Sequence, residues 1–143
     1  DLHRFTNKET ASVDCLNHLR DKGYKIVATS PHANAYTPET LPIEEPMALM
    51  FGTERRGLTE SILANADYHL TIPMYGFTES FNLSVSVAII LQTLRNRLEN
   101  AQFPWKLSIE EQHALQIIWS TRILNGGEAL EKQFRTAHLE KEF

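Results

Sequence analysis

The chain is 143 residues long, 42% hydrophobic and 22% charged, which suits one domain with a sizeable core and excludes a disordered or repetitive protein. Its formal net charge of −4 excludes a chain-wide basic surface, so any contact with nucleic acid must be local. The lone Cys15 leaves no intrachain disulfide, and Ser84 and Ser86 interrupt the longest apolar run; a cytoplasmic protein with no membrane partner is expected.

Leu2 to Phe5 reads as the end of a strand. Thr6 or Asn7 can cap the helix that follows, with Glu9 and Thr10 in its first turn. Val13, Cys15, Leu16 and Leu19 supply its apolar face, with Cys15 expected to be buried, and Gly23 ends it. "KIVAT", 25–29, is a short buried strand. Residues 30–46 hold four prolines and read as loop. "MALMF", 47–51, is a second buried strand, 52–57 a loop, 58–64 a short helix and "YHLTI", 68–72, a third strand. Strands alternating with helices predict an α/β fold with a mainly parallel sheet flanked by helices.

The stretch "IPMYGFTESFNLSVS", 72–86, gives conflicting signals. Phe81, Leu83, Val85 and Val87 alternate with Asn82, Ser84 and Ser86, the period of a strand, yet the chain continues into residues 88–99 with helical character. Past Pro104, Ser108 and Glu111 form a capping box ahead of a helix striped by Leu115, Ile118, Trp119 and Ile123. Gly126–Gly127 interrupts, and a polar helix over 128–142 follows.

Taken singly, the motifs are weak. Gly52 and Gly57 frame a strand–loop–helix unit like a phosphate loop, but Leu58 stands where the lysine should be, which makes an NTPase reading poor. The six histidines show no metal spacing, so no metal is expected, and no Gly-x-Ser-x-Gly elbow is present. A glycine loop at the C-terminal end of a parallel strand is nevertheless where α/β folds bind ligands.

The combination is more specific. Gly52–Thr53–Glu54–Arg55–Arg56–Gly57–Leu58, then Ile72–Pro73–Met74–Tyr75–Gly76 and Ser80–Phe81–Asn82–Leu83–Ser84–Val85–Ser86, resembles the second and third motifs of the SPOUT superfamily, in its SpoU/TrmH branch of RNA ribose 2′-O-methyltransferases. The resemblance covers roughly residues 8–98. It implies that the third motif is a loop passing into a long helix that starts near Phe81, and that the C-terminal segment threads the preceding loop in a deep trefoil knot. Residues 1–103 would then be a SPOUT catalytic domain and 104–143 a helical C-terminal extension.

The resemblance further implies S-adenosyl-L-methionine as cofactor, tRNA or rRNA as substrate, and a homodimer built on the third-motif helix. Carried over residue by residue, Thr29, Gly52, Gly57, Ile72, Pro73, Met74, Phe81 and Leu83 bind the cofactor, the glycines by letting backbone approach it closely. Glu54, Ser80 and Asn82 match the polar catalytic positions. Glu54 and Asn82 would orient loops and ribose, and Ser80 would contact the substrate or the family's catalytic arginine. That arginine belongs to an upstream Asn–x–Gly–x–x–x–Arg segment that has no match here. The N-terminal part of the catalytic domain is therefore expected to be absent, and this chain alone to be inactive. The alternative is a non-catalytic RNA- or cofactor-binding domain of the same fold, with a nucleotide-binding α/β domain as a more distant one.

Overall fold

The structure, a computed structural model, describes residues 4–6, 11–31, 35–78 and 80–138. It divides into two compact units, Asp1–Phe103 and Pro104–Phe143.

In the first unit, strands β1 (Lys25–Thr29), β2 (Met47–Met50) and β3 (Tyr68–Leu70) form a parallel sheet in the order β2-β1-β3. Helix α1 (Ala11–Asp21) precedes β1, α2 (Glu60–Ala64) joins β2 to β3, and α3 (Leu83–Glu99) follows β3. The central strand explains the layering. Ile26, Val27 and Ala28 are all buried, because β1 has a neighbour on each side and helices on each face. Ile26 and Ala28 pack with Leu16 of α1 and Ile62 of α2. Val27, which must point the opposite way, packs with Leu41, Leu70 and the α3 residues Ile90 and Leu94. Ile90 and Leu94 stand one turn apart, so a single stripe of α3 covers that face. Each such aliphatic side chain contributes about 1.5–3 kcal/mol on burial.

Polar contacts fix the ends of these elements. Asp67 clamps β1 from both sides of its own residue: its Oδ2 accepts from Ile26 N at 2.7 Å and its N–H donates to Ile26 O at 2.8 Å. Arg97 Nη1 near the end of α3 donates to Pro38 O at 2.7 Å, fastening that part of the 30–46 connection to the helix. Gly23 closes α1 at φ 81°, the left-handed conformation expected there.

Several sequence expectations are corrected. Residues 4–6 carry no regular structure, so the described part of the expected Leu2–Phe5 strand is absent; Leu2, Asn7, Glu9 and Thr10 lie outside the described residues. Strand β2 is half-buried throughout, because it is the sheet edge and has one strand neighbour instead of two. Cys15 is also only half-buried. Helix α2 begins at Glu60 behind an extended Thr59, two residues later than expected. Residues 81–87 form no strand; α3 begins at Leu83, two residues past Phe81, in keeping with the start near Phe81 that the resemblance implies.

The second unit comprises α4 (Ile109–Ile123) and α5 (Gly127–His138). Ser108 caps α4 through a full capping box: its Oγ accepts from Glu111 N at 3.2 Å, and Glu111 Oε2 accepts from Ser108 N at 2.8 Å. Of the predicted stripe, Leu115 is half-buried and Ile118, Trp119 and Ile123 are exposed. Among the described residues, no helix is long and apolar enough to cross a membrane.

Candidate active site

The three parallel strands deliver their C-terminal ends, Thr29, Met50 and Leu70, to the same edge of the sheet. From β1 the chain passes to β2 on one side, while β3 lies on the other, so the loops above β1 part and leave a crevice. A cavity of about 670 Å³ occupies this place. Its walls come from 29–31, the loop 51–58, the segment 71–83 and the first turns of α3.

The 51–58 loop is closed on itself. Thr53 N donates to Gly57 O at 3.1 Å and Gly57 N donates to Thr53 O at 2.8 Å. Gly57 sits at φ 63°, where side chains other than glycine are strained. Gly52 serves a different purpose. A Cβ there would stand 2.0 Å from Gly57 C and 2.3 Å from Leu58 N, both backbone atoms. The missing side chain at Gly52 lets the loop fold back on its own backbone. The close approach expected between this glycine and a cofactor is thus first an approach of the loop to itself.

Asn82 joins the third-motif segment to this loop. Asn82 is the N-cap of α3: its Oδ1 accepts from Ser84 N at 2.9 Å and from Ser84 Oγ at 2.6 Å. Its Nδ2 donates to Glu54 Oε1 at 3.1 Å. Asn82 therefore starts the helix and joins the two loops together. The cap also explains why α3 begins at Leu83, since an N-cap residue stands outside the helix with non-helical backbone.

Thr29, Gly52, Gly57, Ile72, Met74, Phe81 and Leu83 of the expected cofactor set line this cavity, as do Glu54, Ser80 and Asn82. Pro73 is not on its wall. Thr29 Oγ1 donates to Met50 O at 2.8 Å, tying β1 to β2 at the cavity's edge, so its proton is committed to the fold. Sequence reasoning missed Phe51, Leu70, Ser86 and Ile90, which also line the cavity. Asn82, Ser86 and Ile90 recur every four residues, the period of one helix face, and that signal was masked by the alternation over 81–87. The walls combine buried apolar side chains, Leu70 and Ile90, with a polar rim of Thr53, Glu54, Ser80 and Asn82. Such a lining suits a ligand with a flat apolar part and polar ends. Among the described residues, no group of three or more His, Cys, Asp or Glu could hold a metal ion.

Comparison with known proteins points the same way. Residues 3–92 match the SpoU rRNA Methylase family. A tRNA (guanosine(18)-2′-O)-methyltransferase of Borreliella burgdorferi is 35% identical over 131 residues, which make up 92% of this chain and 58% of the relative. The enzyme of the same name from Escherichia coli (strain K12) is 35% identical over 88 residues, 62% of this chain and 38% of the relative. The chain thus spans between a third and three-fifths of these relatives. Among solved structures, the A. aeolicus TrmH/SpoU tRNA modifying enzyme superposes with a TM-score of 0.62 at 31% identity, covering 80% of this chain and 59% of that one. An AdoMet-bound rRNA methyltransferase from Sinorhizobium meliloti superposes at 0.55 with 29% identity, covering 60% of this chain and 33% of that one. By the match over residues 3–92, the chain belongs to the SpoU rRNA Methylase family.

Proposed function

We propose that this chain provides the cofactor-holding part of an S-adenosylmethionine-dependent methyltransferase that modifies the ribose 2′-oxygen of tRNA or rRNA in the cytoplasm. The observation that carries the reading is the meeting of the 51–58 loop and the 71–83 segment in one cavity, joined by the Asn82–Glu54 hydrogen bond. The names of the relatives and of the AdoMet-bound neighbour support it.

The cavity fits the cofactor in size and in lining. At about 670 Å³ it lies within the usual range of roughly 300–1,000 Å³ for small-molecule sites. Ile72, Met74, Phe81 and Leu83 would enclose the adenine, while Thr29, Gly52 and Gly57 offer backbone groups, with Pro73 stiffening the segment between Ile72 and Met74. When bound, S-adenosylmethionine supplies a methyl group on a positively charged sulfur. The protein's task is then to bring a ribose 2′-hydroxyl in line and let its proton leave. Glu54 and Asn82 hold the two loops in register and orient the ribose from the rim. Ser80 faces the same cavity and contacts the substrate or the arginine that the family resemblance assigns to its first motif.

The same reading makes residues 1–103 the catalytic unit and 104–143 its helical extension, with a trefoil knot formed where the 71–83 segment passes the 51–58 loop. The Asn82–Glu54 contact between those segments supports the knot. A homodimer through α3 is supported by the exposed Val85 and Leu91 and the exposed small residues Ser84 and Ala88 of that helix.

The test has two steps. Calorimetric titration should show one S-adenosylmethionine bound per chain; no binding would sink the reading. Tritiated methyl groups should then end on ribose 2′-oxygens of tRNA or rRNA when the polypeptide assayed carries the first-motif arginine. Cofactor binding with no transfer by such a polypeptide would return the non-catalytic alternative.

A further inference from the structure

Met74 and Ser80 line the cavity, while Tyr75, Gly76, Phe77 and Thr78 do not. Between those residues, Gly76 turns the chain at φ 105°, with an aromatic residue on each side. Tyr75 is 94% exposed and Phe77 fully so. Large aromatic rings gain much from burial, and two of them held in water beside a cavity mark a surface built for a partner.

The chemistry around them favours RNA. Arg55 and Arg56 stand on another wall of the same cavity, at the tip of the closed 53–57 turn, and both are exposed. The nearest carboxylate in sequence, Glu54, accepts a hydrogen bond from Asn82. Guanidinium groups at one rim suit phosphates, and aromatic rings at another suit bases. A nucleotide whose ribose enters a cavity must leave its own stack, and its neighbours then need new faces to stack on.

We propose that Tyr75 and Phe77 form a stacking platform for the nucleobases of the RNA substrate beside the nucleotide being modified, with Arg55 and Arg56 taking the adjoining phosphates. This rests on the RNA-methyltransferase reading and adds positions that set how the substrate is held.

The test is a titration of unfractionated tRNA against the wild type and the double variant Tyr75→Leu/Phe77→Leu. Leucine keeps apolar bulk and removes the ring. The double variant should bind tRNA about 5- to 150-fold more weakly for each base that loses its stack. Its S-adenosylmethionine affinity and sedimentation should match the wild type, and Tyr75→Phe/Phe77→Tyr should restore tRNA binding. Unchanged tRNA affinity in the leucine variant would overturn the platform. So would a change in sedimentation with tRNA affinity intact, which would make this surface a contact between subunits. If the wild type binds S-adenosylmethionine but no tRNA or rRNA, the RNA reading itself fails, and the platform with it. Quenching of 2-aminopurine placed in a bound RNA gives a second readout; no quenching at any position would count against stacking whatever the variants do.

Discussion

Replacing Gly52 by alanine adds a single methyl group, and the structure states what that group meets. The new Cβ would lie 2.0 Å from Gly57 C, 2.3 Å from Leu58 N and 2.4 Å from Gly57 O, where real contacts essentially never fall below 3.0 Å. None of these atoms belongs to a side chain that can swing away, so the loop itself must part by about 1 Å or more. That movement breaks the paired Thr53–Gly57 hydrogen bonds at 3.1 and 2.8 Å. Two backbone hydrogen bonds are worth about 1–3 kcal/mol net. If the cofactor binds only the closed loop, Gly52→Ala should weaken S-adenosylmethionine binding about 5- to 150-fold. Gly57→Asn is the control. Its Cβ would meet nothing within 4 Å, and asparagine tolerates a φ of 63° better than other side chains, so the loop should stay closed and affinity should fall less than in Gly52→Ala. Calorimetric titration of both variants, beside thermal melts to confirm folding, decides the matter. Wild-type affinity in Gly52→Ala, or an equal loss in Gly57→Asn, would refute loop closure as the purpose of this glycine.

Asn82→Ala removes the N-cap of α3 and the link to Glu54, and should cost about 1 kcal/mol or somewhat more in denaturant unfolding; in a polypeptide that also carries the first-motif arginine, methyl transfer should fall further. Asn82→Asp keeps the cap but sets a carboxylate against Glu54, so it should recover stability and not transfer. Wild type should sediment as a dimer at micromolar concentration, and Leu91→Glu on the exposed side of α3 should shift it to monomer; a monomeric wild type would remove the proposed interface. In the second unit, Glu110 is held below the usual carboxylate range, first by a backbone hydrogen bond at the start of α4 and then by the Ser108 hydroxyl. A lowered folded-state pKa contributes stability above the ordinary carboxylate pKa and loses it as pH falls through the folded value. Ser108→Ala should therefore move the Glu110 titration, followed by NMR, back toward the ordinary range, and lower stability at neutral pH by about 1 kcal/mol through loss of the cap.

Most of the fold could be read from periodicity where burial is two-sided or a cap is explicit. "KIVAT" became β1 with its predicted ends, since a central parallel strand needs an unbroken apolar run. Ser108 and Glu111 marked the start of α4 because both partners of the capping box are written in the sequence. The failures came where the environment decides. Met47 to Met50 looks as apolar as β1, but nothing in those residues says that the strand lies at an edge. Cys15 looked like core and is half-buried, since the apolar face of α1 rests on Leu16.

The candidate site shows the same division more sharply. Its glycines and polar residues could be picked out by resemblance, but their physical purposes could not. Gly52 was read as making room for a ligand, and its Cβ is excluded by the loop's own backbone at Gly57. Asn82 was read as a polar active-site group, and it is also the residue that begins α3. The strand-like alternation over 81–87 hid that second role, because it places Asn82 and Ser84 on the opposite face from Phe81 and Leu83. A helix beginning at Leu83 instead sets Asn82, Ser86 and Ile90 in line, and all three reach the cavity wall. One side chain thus fixes the start of α3, and through Glu54 it also fixes the 51–58 loop against that helix. Removing the Asn82 side chain must therefore disturb the helix end and the cavity together. Stability and cofactor affinity should fall jointly in Asn82→Ala, and loss of one without the other in that variant would refute the double role.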